Sequence, residues 1–113
     1  MDNFRRKLEV YARGDRQFMI DLVRVCLADL DEFMVNSQHG VADKDFEMLT
    51  FTNHKIKTIS AFFGMAELDK LSDQSLEAAM GENGVKTAHL NKLSTTINGI
   101  KSDMKSSISD LYD

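Results

Sequence analysis

No proline occurs in the 113-residue chain, and glycine occurs only six times. Without those breakers, and with Leu, Met, Ala, Lys, Glu and Asp recurring throughout, little favours strands or interrupts long helices, so the expected class is all-α. Cysteine is nearly absent as well. The single Cys26, in the apolar run "LVRVCLADL", excludes an internal disulfide and reads as a buried, reduced thiol in a reducing cytosol. No apolar stretch approaches the roughly 20 residues of a spanning helix. The amino-terminal "MDNFRRKLEVY" has no apolar signal core, so a soluble, cytoplasmic protein is expected. A net charge of -4 lacks the basic surplus that would neutralise phosphates, which argues against a nucleic-acid partner. The phosphate-cradling pattern G-x-x-x-x-G-K-[ST] does not occur, and "GENG" at Gly81 to Gly84 has neither its length nor its lysine. His39, His54 and His89 lack the paired spacing of metal ligands. Neither a cofactor nor a metal is expected.

What is present is helical periodicity. Breaks are expected at "RGD" (Arg13 to Asp15), "NSQHGVAD" (Asn36 to Asp43), Gly64 and "GENG". Asp15 should N-cap a helix to about Ser37, whose positions Met19, Leu22, Val23, Cys26, Leu30, Phe33 and Met34 step by three and four. Asp43 should cap a second helix ending near Phe63, and a third should run from about Met65 to Met80 through Leu68, Leu71, Leu76 and Ala79. The last, from about Lys86 to Leu111, carries Leu90, Leu93, Ile97, Ile100, Met104, Ile108 and Leu111 close to a heptad seam. Short connections place such helices antiparallel. The expected architecture is one domain over residues 1–113, an antiparallel four-helix bundle with Asn3 to Ala12 as a short capping helix. A core filled within one chain implies a monomer. Met1 together with a complete bundle suggests a free-standing protein.

The second helix carries the one histidine with unusual surroundings. At about 100° per residue, with Leu49 as zero, Ile56, Ser60 and Phe63 fall within roughly 40°, and Thr52 and Ile59 lie on one flank. That is the buried stripe. His54 lies about 140° from Leu49 and should face solvent, with Ala61 about 20° and Thr58 about 40° from it. Lys57 sits about 60° to one side, within reach of the same anion. Phe51 and Phe62 lie on the other flank, where exposed aromatic rings call for something to pack on them. His39 and His89 read as ordinary solvated side chains.

The run His54, Ile56, Lys57, Ser60, Ala61, Gly64, Leu68, Leu71 and Leu76 with Glu77 resembles the histidine-containing phosphotransfer (HPt) domains of two-component phosphorelays. In that family a histidine is followed by an aliphatic residue, a lysine, small residues, a glycine and then leucines at these offsets. Upstream, "YARGDRQFMIDLVRVCLADLDEF" is similar to the family's first long helix, and the likeness covers about Leu8 to Met80. The chain departs from the pattern at Thr58, where the family usually has glycine and a small residue lets the partner approach.

The resemblance implies a phosphoryl carrier, not an enzyme with an ATP site of its own. A neutral imidazole nitrogen is a good nucleophile near neutral pH and yields a labile phosphoramidate. His54 would accept a phosphoryl group from the aspartyl phosphate of a receiver domain and return it to another receiver. Lys57, and with less reason Lys55, would balance its charge. Phe51, Lys55, Thr58, Ala61 and Phe62 would meet the partner, a receiver of a response regulator or hybrid kinase. Magnesium and the acidic cluster for the transfer would come from that receiver. The alternative is a non-catalytic adaptor that docks a receiver or kinase without carrying phosphate, for which Thr58 speaks and the pair His54 and Lys57 does not.

Overall fold

The computed structural model describes residues 2–112. The described residues form α1 (Asp2–Ala12), α2 (Arg16–Asp43), α3 (Phe46–Phe63), α4 (Ala66–Ala79), α5 (Asn83–Ser107) and a closing 3-10 turn, Ser109–Tyr112. The chain is all-helical. At about 1.5 Å per residue α2 is about 42 Å long, and it sets the long axis of a body measuring 47 × 21 × 19 Å. Every other α-helix packs on α2, and α3 and α5 each also pack on α4.

Four boundaries differ from the sequence expectation, the end of α2 and the start of α3 for one shared reason. The stretch Asn36 to Asp43 is not a break: α2 runs through it to Asp43 and ends at Lys44, which takes the left-handed conformation (φ 53°). Asp45, not Asp43, then caps α3, its carboxylate accepting from the Met48 N–H at 3.0 Å. Gly40 suggests a helix end in sequence but serves as a contact point. A Cβ there would stand 2.6 Å from Cγ of Leu49, which is fully buried, so glycine lets α3 lie against α2. Likewise α5 begins at Asn83, ahead of the expected Lys86, and its last stretch tightens into the 3-10 turn short of Leu111. Helix α4 ends within a residue of expectation at both ends.

The core is the one the periodicity describes. Met19, Val23, Cys26, Leu30 and Phe33 of α2 meet Leu93, Ile97, Ile100 and Met104 of α5, with Ile56, Ile59, Leu68 and Leu71 between them. Leu22 and Met34 are half-buried at its margin. Leu90 joins a smaller cluster of Val41, Leu49, Ala78 and Ala79, around the approach at Gly40. Cys26 is buried, and loss of water pushes its thiol up to about 11, so it stays protonated and inert. Helix α1 covers one end: the Phe4 ring packs on Phe63 at a centroid distance of 4.6 Å, tilted by 45°. Arg5 of α1 donates to the Ser107 carbonyl and pairs with Asp110, tying the last turn to the first helix. Among the described residues no helix is long and apolar enough to cross a membrane.

His89 departs from the sequence reading: it is buried, only 7% exposed. Its Nε2 lies 2.8 Å from Ser75 Oγ. The Ser75 hydroxyl spends its hydrogen on the Leu71 carbonyl at 2.9 Å, so the serine oxygen accepts and His89 Nε2 carries the proton. Burial, aided by Lys92, lowers the histidine pKa. Its helical position among Lys86, Thr87 and Asn91 looks polar; only the α4 serine opposite explains its burial.

Candidate functional site

Helix α3 is fixed at both ends and along one side, and this decides what it presents. Asp45 closes its first turn, and Gly64 (φ 65°) ends it with an N–H to the Ser60 carbonyl. Ser60 Oγ donates to the Met65 carbonyl at 3.0 Å, bracing the turn into α4. Midway, the buried Asn53 donates through Nδ2 to the Ser72 carbonyl of α4 at 3.0 Å. Leu49, Thr52, Ile56, Ile59, Ser60 and Phe63 all point inward. With that face turned in, His54 is exposed, as are Lys55, Lys57, Thr58 and Ala61.

His54 stands at the edge of an open groove of about 500 Å³ between α3 and α4. Its α3 wall is the stripe Thr50, Asn53, His54, Lys57 and Ala61, and its α4 wall is Asp69, Ser72, Asp73 and Leu76. Both stripes step by three and four, as residues sharing one helix face must. His54 and Lys57 are thus brought together on one wall, one turn apart. Lys57 makes no ion pair among the described residues, whereas Lys55 donates to Glu32 of α2 at 2.8 and 3.0 Å. That pairing raises the Lys55 pKa and holds its ammonium on the α2 side of His54. Thr58 is exposed and its hydroxyl has no hydrogen bond within the described chain.

The aromatic flank divides. Phe51 is 61% exposed and packs on no other ring among the described residues. Phe62, 41% exposed, lies edge-on to Tyr11 of α1 at 5.1 Å and to Phe63 at 4.7 Å, and Tyr11 continues to Phe18 of α2 at 5.9 Å. A half-exposed ladder of rings therefore leads away from the α3 end of the site. Tyr11, Phe18, Thr50, Asn53, Asp69, Ser72 and Asp73 are the members that sequence reasoning missed. The two aspartates had a visible signal in their i, i+4 spacing on the polar face of α4, but nothing in sequence says which polar face a neighbour will meet.

The arrangement offers an imidazole open to an electrophile, one uncommitted cation beside it, and small or polar surface around both. No family profile, curated protein or solved structure matches the chain.

Proposed function

We infer that the chain is a phosphorelay intermediate of the HPt kind, accepting a phosphoryl group on His54 from the aspartyl phosphate of one receiver domain and passing it to another. The observation that carries this reading is the pairing of an exposed, mid-helix histidine with Lys57, which has no partner of its own, on a helix locked in rotation by its neighbours. In the step itself a ring-nitrogen lone pair attacks phosphorus, the P–N bond forms, and the P–O bond to the aspartyl carboxylate breaks. The electron pair leaves with the carboxylate. The phosphoryl carries a charge of about -1.5 to -2, and an ammonium one helical turn away stabilises it without moving a proton. Lys57 fills that role, and Lys55, held by Glu32, contributes at longer range.

The finer architecture belongs to the same reading: an antiparallel four-helix bundle of α2 to α5, capped by α1. Connections of a few residues between α2 and α3, α3 and α4, and α4 and α5 support it, since such links return the chain alongside itself. A monomer working in the cytoplasm, with magnesium and transfer chemistry on the receiver, completes it. Phe51, Phe62 and the rings beyond give a partner apolar surface to cover.

The test is transfer from a phosphorylated receiver. Acid-labile, base-stable label should appear on the chain and vanish in His54→Gln, with His39→Gln and His89→Gln still labelled. Label persisting without His54 would refute the assignment. Receiver binding with no label on the parent chain would instead identify the adaptor, for which the bulk of Thr58 beside His54 is the supporting feature.

A further inference from the structure

The buried polar side chains of this molecule are not scattered through its core. Two apolar clusters make up that core. The larger is bounded by Phe33 on α2, Ile56 on α3, Leu71 on α4 and Leu93 on α5, and the smaller holds Val41, Leu49, Ala78 and Ala79 with half-buried Leu76 and Leu90. Between the clusters stand the buried polar residues Ser37 of α2, Thr52 and Asn53 of α3, and Ser72 and Ser75 of α4. His89 of α5, next to Leu90, joins them.

Four hydrogen bonds cross between helices along this polar belt. Asn53 donates to the Ser72 carbonyl at 3.0 Å, His89 to Ser75 at 2.8 Å, Gln38 to Ser94 at 3.1 Å and Lys92 to Gln74 at 2.9 Å. They tie α3 to α4, α4 to α5 twice, and α2 to α5. Among the members of the belt, Ser37 Oγ and Asn53 Oδ1 are buried with no hydrogen-bond partner in the described chain. Such groups are costly while closed, and contact with water relieves them.

What lies beyond the belt is lightly held. Two of its four buried side chains are alanines, which contribute little apolar surface. The two turns at the tip meet there, Lys44 lining one cleft with Met80, Gly81 and Lys86, and Met80 and Val85 are exposed. Helix α5 begins at Glu82 without a side-chain cap bond, and α2 ends at Lys44, which holds a left-handed conformation although it has a Cβ. Opening is easiest where apolar contacts are few.

We propose that this end of the molecule, made of the last turns of α2 and α4 and the first turns of α3 and α5, is a separate opening unit. It unfolds as one piece up to the polar belt and recloses while the larger cluster stays packed. The belt is the boundary because its groups accept water where an apolar layer would not, and because the Asn53 bond holds α3 to α4 where unwinding must stop. That boundary falls beside His54. Thr50 and Phe51 lie on the opening side, and Lys57 and Ala61 on the fixed side. Opening therefore withdraws Phe51 and leaves the imidazole and its lysine in place, so any partner that packs on Phe51 selects the closed form.

Amide hydrogen exchange of the whole chain, followed residue by residue in low urea, tests this. Amides 38–43, 50–52, 76–79 and 87–90 should exchange through one shared opening. They should be at least about tenfold faster than amides 23–33, 56–63 and 93–104, with a weaker urea dependence. Val41→Ala weakens the closed form against both openings, so it should speed both groups. Ile97 stays packed in the local opening, so Ile97→Ala should speed only the second group, by about thirtyfold or more. Ile97→Val should do the same by roughly a few-fold, and serves if the alanine variant does not fold. Equal speeding of both groups by the Ile97 variant, or one common urea dependence for all amides, overturns the unit and leaves the belt only a device for helix register. Unrelated rates in the four segments would show independent fraying of helix ends, and would overturn it as well.

Discussion

Gly40→Ala should destabilise the chain although it replaces a helix-interior glycine with the best helix former. Alanine in place of glycine gains about 1 kcal/mol of helix propensity. Against this, the new Cβ would stand 2.6 and 2.7 Å from Cγ and Cδ2 of Leu49, distances that real Cβ atoms do not hold. Leu49 is fully buried in the cluster with Val41, Ala78 and Ala79, so the added methyl overpacks the site at a cost of about 1 to 3 kcal/mol. The net expectation is a loss of up to about 2 kcal/mol. The sharper test uses Leu49→Ala, which by itself should cost about 2 to 5 kcal/mol. In that background the obstruction is gone while the propensity gain remains, so Gly40→Ala should stabilise by about 1 kcal/mol. Urea unfolding of the four proteins, compared at equal m-values, reads the change of sign as a coupling between the two sites. The same effect of Gly40→Ala in both backgrounds would show that α2 and α3 are not in close contact there, and that Gly40 serves some other end.

Three further outcomes are expected. Lys57→Ala should slow transfer from a phosphorylated receiver without abolishing acceptance, while Lys55→Ala, which breaks the pair with Glu32, should leave the rate near the parent's; equal losses in both would refute the division between the two lysines. Thr58→Gly should speed transfer while weakening α3 by up to about 1 kcal/mol, and lower stability with no gain in rate would refute a steric role for the threonine. His89, its pKa lowered by burial, should make stability fall in acid: the unfolded chain takes up the proton first, so its contribution is full above about pH 6.5 and lost as pH falls below that. Urea midpoints between about pH 7.5 and 5.5 should show that loss in the parent and not in His89→Gln.

Much of this molecule could be read from residue spacing, because its core uses one rule throughout. Met19 to Phe33 on α2 and Leu93 to Met104 on α5 are apolar at steps of three and four, and all but the marginal Leu22 and Met34 are buried. The face of α3 followed from the same count, which put Leu49 and Ile56 inside and His54 outside. The failures lie where a residue's meaning depends on its neighbour. Gly40 has the same local preference for a turn as Gly64, and only the position of Leu49 makes one a contact and the other a cap. His89 follows a polar stretch, and its burial needs Ser75 from another helix. Asp69 and Asp73 stay exposed on α4, and only the placement of α3 beside them makes them a groove wall. Each is a pairwise fact, and a single helical wheel does not contain it.

The rotation of α3 also explains why two lysines so close in sequence are not equivalent. From His54, Lys55 lies about 100° around the helix in one direction and Lys57 about 60° in the other. The first direction leads to α2, where Glu32 holds the ammonium, and the second leads to the groove with α4, where no anion comes within pairing distance of Lys57. The field at His54 is therefore lopsided: neutralised on the α2 side, cationic at the groove edge, negative across the groove. A phosphoryl on the imidazole, under the proposed function, would be drawn toward Lys57 and away from Asp69 and Asp73. Rotating α3 by one residue, about 100°, would bring His54 to the angle now held by Asn53 or by Lys55 and undo all of this. The Asn53 bond to the Ser72 carbonyl, immediately beside the histidine, opposes that rotation. Asn53 is thus the point where holding the helix and shaping the site become one task, and this accounts for a buried amide on the groove side of the stripe.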